Sequence, residues 1–227
     1  MDNARAAKLH IRQAAFALAE RMAWNQIGMG AIARQAELSL SQLLQNAPSK
    51  TAIIENFARD IDQAMVLVFE KHPADGEPHD RLFEVMLKRL EILAPYKYSV
   101  ESILKGAPAE PPESLRLVQS TYDSVGWMIS AARVEEDAAW QGLGRLGLLR
   151  LYLRVLAIWI KDDAGMARSM AALDRGLRDI AQFKTRTDGI LSMAWAFAAG
   201  LGRVARGFFE ERKTDEHRQD EQRDQHR

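Results

Sequence analysis

The sequence contains no cysteine, which excludes disulfides, thiolate nucleophiles and cysteine-ligated zinc. Neither sign of charge prevails. Lys plus Arg number 31 and Asp plus Glu number 31, so overall charge gives no pull toward a polyanion, and only local distribution can supply one. Histidines are five, His10, His72, His79, His217 and His226, and none stands at metal-ligand spacing from another, so no metal is expected. No run alternates apolar and polar residues for long, which argues against strands. The start, MDNARAAKLHIRQAAF, lacks a charged-then-apolar leader layout, and a cytoplasmic protein is expected. Paired carboxylates, a Ser–His pair and a phosphate-cradling loop in a convincing setting are all wanting. GLGRLG at 142–147 has no strand before it and is set aside as a nucleotide fingerprint. These absences point away from an enzyme, and no cofactor is expected.

What is present is helical periodicity almost throughout, in a chain of 227 residues that is 47% hydrophobic and 27% charged. The fold class expected is all-α. Asp2 or Asn3 caps a first helix with Ile11, Ala15, Leu18 and Met22 on its apolar stripe. Short helices follow at Met29–Gln35 and Leu40–Asn46. A long fourth spans Ser49–Lys71 with Ile53, Phe57, Ile61, Ala64 and Val68 inward. The breakers HPADGEPHD and GAPAEPP separate further helices at 80–93, 96–105, 112–133, 136–161, 164–183 and 189–212. The expected organisation is a helix-turn-helix domain (1–48), a connecting helix (49–71), a ligand-binding and dimerisation body (72–187), an amphipathic helix (188–211) and a polar tail (212–227).

Two short helices joined by a tight turn and braced by a longer one make a helix-turn-helix layout. In AIARQAELSLSQLLQNAPSK, Ala33 is small where helices cross, Leu38 is apolar beneath the turn, and Ser39 can cap the third helix. Residues 11–57 resemble the DNA-binding domain of the TetR family, matching it at Ile32, Ala33, Ala36, Leu38, Ser39, Leu43, Pro48, Ser49 and Lys50. The resemblance implies a TetR-like helical bundle, with the third helix as the recognition helix. It departs from the family where Glu37 replaces a turn glycine, Leu40 a lysine, Leu44 a tyrosine, Asn46 a histidine and Ala47 a phenylalanine. Several of those lost groups anchor phosphates, which supply most DNA affinity. The DNA-facing candidates that remain are Ser39, Ser41, Gln42, Gln45 and Asn46, with Lys50 placed to meet a phosphate. Gln and Asn can pair bidentately with adenine. Residues 1–50 are mildly basic, with Arg5, Lys8, Arg12, Arg21, Arg34 and Lys50 against Asp2, Glu20 and Glu37. Leu40 and Leu44, four apart, give the same helix an apolar face, which points to packing or a lipid contact rather than phosphate docking.

In the body, DRLFEVMLKRLEILAPY sets Leu82, Val85, Met86, Leu90 and Leu93 on one face. Tyr122, Trp127, Met128, Tyr152 and Trp159 are either core packing or the lining of an apolar ligand pocket between helices. Asp163 is placed to cap the next helix. LLRLYLRVLAIWIKDDAGMARSMAALDRGL, through Trp159, Asp162, Leu173, Asp174 and Arg175, resembles the C-terminal region of TetR-like proteins. It is also similar to the TetR-like lipid-binding family of ubiquinone biosynthesis. The first resemblance implies a homodimer through about 138–161 and 164–183, which would set two recognition helices on one DNA face.

Beyond KTRTDG, the residues Ile190, Met193, Phe197, Leu201, Val204 and Phe208 share one helical face. Arg203 and Arg206 interrupt it, and its uncharged part is too short to span a bilayer. It either packs on protein or lies in a membrane interface, with Trp195, Phe197, Leu201 and Phe208 in lipid and Arg203 near headgroups. Two functions follow. One is a DNA-binding homodimeric regulator, a repressor released by an apolar ligand. The other is a lipid-binding accessory protein of ubiquinone biosynthesis, peripheral to the membrane and taking an isoprenoid ligand.

Overall fold

Proline, glycine and capping serines cut the chain into its helices. The computed structural model describes residues 2–109, 111–134 and 144–184, and every regular element among them is helical. The elements are α1 (Asp2–Ala19), α2 (Met29–Gln35), α3 (Leu40–Asn46), α4 (Lys50–Lys71), α5 (Pro78–Leu93), α6 (Lys97–Gly106), α7 (Pro111–Ala131), α8 (Arg145–Ile160) and α9 (Ala167–Lys184). Short 3-10 turns lie at Trp24–Gln26, Ala94–Tyr96 and Ala107–Ala109. The helix expected at 189–212 lies outside the described residues, and so do Trp195, Phe197, Leu201, Arg203 and Phe208.

The cores of α1 and α4 turn away from the expected stripes. Ile11 and Ala15 are buried in α1, but Ala14, Phe16 and Ala19 complete the face. Leu18 is half-buried, and Met22 lies past the helix end and is exposed. In α4 the buried ridge runs Ile53, Phe57, Ile61, Met65, Phe69, whereas Ala64 and Val68 are only half-buried. Steps of four carry it around the helix, because Met65 and Phe69 offer more apolar surface than their neighbours. In α5 all five expected inward residues, Leu82, Val85, Met86, Leu90 and Leu93, are buried.

Helices α1, α2 and α3 pack on one another, and α1 also lies against α4 and α6. Phe16, Phe57 and Tyr96 meet edge to face, with centroids 4.8 Å apart for Phe16–Phe57 and 5.0 Å for Phe57–Tyr96. Such geometry adds about 1 kcal/mol per pair beyond burial. The Arg12 guanidinium lies 5.3 Å from the Phe57 ring centre while pairing with Asp60 at 2.5 Å. Gly106 closes the other side of this joint. A Cβ there would stand 3.1 Å from the Asn25 backbone nitrogen and from the Trp24 Cβ. Residues Met1–Thr185 accordingly fall in one compact unit.

In the body, α4 packs chiefly on α7, α5 lies against α9, and α8 pairs with α9. The α8–α9 approach is very close at Gly176, where a Cβ would come within 2.1 Å of a Leu151 methyl. The turn before α9 is organised by Asp162 rather than Asp163. Asp162 is buried and accepts from the Ser169 N–H and hydroxyl, both at 2.8 Å, and from Arg168 at 3.2 Å. Among the described residues, Asp163 receives only the Gly165 N–H, at 3.0 Å, inside the turn itself. Burial alone would raise the Asp162 carboxyl, but the Ser169 and Arg168 hydrogen bonds outweigh it and lower the pKa to about 2. Among the described residues, no helix is long and apolar enough to cross a membrane.

Candidate nucleic-acid interface and ligand cleft

The α3 helix begins in a reciprocal cap. The Gln42 N–H donates to Ser39 Oγ at 3.2 Å, and the Ser39 N–H donates to Gln42 Oε1 at 2.9 Å. The cap fixes the helix start, and it also turns the Gln42 carbonyl oxygen back onto its own helix. Asn46 is similarly engaged, donating from Nδ2 to the Gln42 backbone carbonyl at 2.9 Å. Leu43 and Ala47 face the core at 1% exposure. The outward residues are Leu40, Ser41, Leu44 and Gln45, with the capping Gln42 beside them.

The six DNA-facing candidates are in different states. Ser41 and Gln45 are exposed, Ser39 and Gln42 cap each other, and Asn46 bonds within its helix. Lys50 points toward the 3-10 turn between α1 and α2. Its Nζ donates to the Trp24 carbonyl at 3.3 Å and lies 5.6 Å from the Trp24 ring centre. Arg5, Lys8, Arg21 and Arg34 are exposed on the same three-helix unit. In the turn between α2 and α3, Glu37 has φ of 52°, a left-handed conformation that favours glycine.

A cleft of about 780 Å³ opens beside α4, α7 and the start of α8. Its walls carry Glu55, Arg59 and Asp62 from α4, Arg116, Asp123 and Trp127 from α7, and Arg145 from α8. Of the five aromatic and methionine residues singled out in the sequence, Trp127 lines it, at 55% exposure. Met128, Tyr152 and Trp159 are instead buried in the helical core at 1% each. Tyr122 is half-buried beneath Arg145, whose guanidinium stands 4.0 Å from the ring centre and donates to the Tyr122 carbonyl at 2.9 Å. Gly126 makes room for this, since a Cβ there would meet Arg145 Nη2 at 2.5 Å. The lining is thus more polar than an apolar pocket would be.

Behind Asp62 lies a buried polar network absent from the sequence reading. Arg89 donates from Nε to Asp62 Oδ1 at 2.8 Å, from Nη2 to Ser124 Oγ at 3.1 Å, and from Nη1 to the Tyr152 hydroxyl. Ser124 Oγ donates in turn to Asp62 Oδ2 at 2.7 Å. Burial works against the Arg89 charge, but Tyr152 and Asp62 outweigh it and raise its pKa. Burial likewise raises Tyr152 and keeps its hydroxyl protonated. A signal did exist in the sequence, because Arg89 falls seven residues after Leu82 on a face otherwise apolar.

No family model matches this sequence, and no curated protein matches it. Solved structures do. A TetR transcriptional regulator from Nitrosomonas europaea superposes with a TM-score of 0.63 at 19% identity, covering 77% of this chain and 98% of that one. One from Rhodococcus sp. RHA1 gives a TM-score of 0.56 at 18% identity, covering 78% and 96%. A tetR-family transcriptional regulator from Streptomyces coelicolor gives 0.51 at 14% identity, covering 92% and 99%. The fold is TetR-like.

Proposed function

We propose that this chain is a TetR-type transcriptional regulator that binds operator DNA as a homodimer and represses until a small ligand releases it. The observation that carries this reading is α3 itself. It is a capped second helix of a helix-turn-helix whose outer face, with Ser41 and Gln45, is open to a groove. Exposed Arg5, Lys8, Arg21 and Arg34 on the same three-helix unit supply the basic side chains for phosphate contact that the helix itself lacks. Self-association through α8 and α9 is supported by Leu146, Leu153, Ala157 and Ile158, which α8 leaves partly uncovered.

The cleft is the proposed ligand site. Its arginines and carboxylates beside Trp127 favour a ligand with polar groups and one flat apolar part over a wholly apolar one. Because α4 starts at the exit of α3 and contributes Glu55, Arg59 and Asp62 to the cleft, a ligand there acts on the helix that carries the DNA-binding unit. The matched structures do not favour the lipid-binding accessory reading, and its membrane helix lies outside the described residues.

The test is binding to DNA flanking the protein's own gene at several salt concentrations. Liposome flotation is run beside it on the full chain and on a chain ending at Lys184. Specific, salt-dependent DNA binding that weakens in Gln45→Ala is expected. Flotation that needs residues 190–209, with no DNA preference at any salt, would overturn regulation in favour of a membrane role.

A further inference from the structure

We infer that α3 selects A·T base pairs, with Leu40 and Leu44 packing against thymine methyl groups and Gln45 pairing with adenine. This rests on the DNA-binding reading above and names the sequence class that its site takes. Leu40 is 63% exposed and Leu44 is 61% exposed, on a helix whose one core leucine, Leu43, is 1% exposed. Two large apolar side chains four apart form a continuous ridge. Ser41 and Gln45, also four apart, form a parallel ridge one residue around the helix, and no hydrogen bond within the described residues engages either side chain. Gln42 and Asn46, the other amides, are held by the cap and by the helix backbone. That leaves Gln45 as the free amide on this face.

The composition of the face decides among the bases. Guanine is read by Arg or Lys at O6 and N7, and cytosine by Asp or Glu at N4. The seven residues of α3, LSQLLQN, contain none of these four types. An A·T pair shows in the major groove a methyl group on thymine and an acceptor–donor pair, N7 and N6, on adenine. An apolar ridge beside an amide ridge matches that pattern. Burying Leu40 and Leu44 against methyl groups also removes the apolar surface that the free protein leaves in water.

The experiment is in-vitro selection of duplexes by the full-length protein, followed by replacement of thymine with uracil in the recovered sites. Uracil keeps the adenine partner and removes only the methyl group. Expected are half-sites rich in A·T, affinity reduced about fourfold for each contacted thymine replaced, and loss of that sensitivity in Leu40→Ala/Leu44→Ala. Both leucines are exposed, so the variant keeps its core, and the uracil comparison needs no variant at all. Gln45→Ala is expected to relax the adenine preference while leaving the salt dependence unchanged. Sites centred on G·C, or equal affinity for thymine and uracil duplexes, would overturn this inference and leave DNA binding standing. Failure to select any sequence at any salt would instead overturn the DNA-binding reading, and this inference with it.

Discussion

Single residues carry two stability effects that the helical pattern alone would not reveal. Glu37 sits at φ of 52° in the turn before α3, where a side chain costs about 1 kcal/mol relative to glycine. Glu37→Gly is therefore expected to raise the melting temperature by about 3 °C, the usual yield of such a gain in a chain of this size. A thermal melt checks it, and a fall would mean that the Glu37 side chain has a stabilising contact. Asp162 gives the opposite sign. Its folded pKa, about 2, lies below the ordinary 3.8, so its contribution is present above about pH 4 and is lost as pH falls toward 2. Asp162→Asn is expected to cost about 2 kcal/mol at neutral pH through weakened charged hydrogen bonds. The gap to the parent should narrow through that acid window in urea titrations at stepped pH. A constant gap down to pH 2 would show that the charge of Asp162 contributes nothing.

At the level of elements, the α8–α9 pair turns on one missing side chain. Alanine is the better helix former by about 1 kcal/mol, so on propensity alone Gly176→Ala in α9 would stabilise. The Leu151 methyl 2.1 Å from the added Cβ reverses that. Leu151 is buried and has to be pushed into packed neighbours, and overpacking of this kind costs about 1–3 kcal/mol. A lower urea midpoint with unchanged slope is expected, and an increase would mean that Leu151 repacks freely. Nothing in the sequence distinguishes Gly176 from a helical glycine of no consequence, because its role depends on a residue of another helix. The elements themselves were legible for a different reason. The end of α2 and both bounds of α3 follow from the cap and turn residues within AIARQAELSLSQLLQNAPSK, all local in sequence. The core stripe of α5 was legible because its apolar spacing has one solution. In α4, Ala64 and Val68 compete with Met65 and Phe69, and only packing against α7 and α5 chooses. The candidate site divides along the same line. Ser41 and Gln45 could be read from the sequence as outward groups, but the use of Gln42 as a cap partner needed the Ser39 geometry. Arg59, Arg116 and Arg145 meet in a cleft only once α4, α7 and α8 are assembled.

For the whole molecule, the decisive feature is the polar network that joins four helices inside an apolar body. Asp62 comes from α4, Arg89 from α5, Ser124 from α7 and Tyr152 from α8. Each member has a partner, so the intact network is tolerated rather than strongly stabilising, since desolvation of Asp62 and Arg89 offsets much of their attraction. Removing one charge is a different matter. Arg89→Met leaves the Asp62 carboxylate buried with Ser124 as its remaining donor, and an uncompensated buried charge costs about 3–5 kcal/mol. That is a large part of the 5–15 kcal/mol typical of a whole domain, so the variant should unfold at much lower urea. Asp62→Leu combined with Arg89→Met removes both charges and is expected to recover most of the loss. The coupling between the two positions in a double-mutant cycle reports the network itself rather than either side chain. If the double variant is as unstable as Arg89→Met alone, the loss comes from packing around Arg89 and not from the stranded carboxylate. If it recovers, the network's value lies in position: it holds the middle of α4 against α5, α7 and α8, on the helix that runs from the exit of α3 to the cleft.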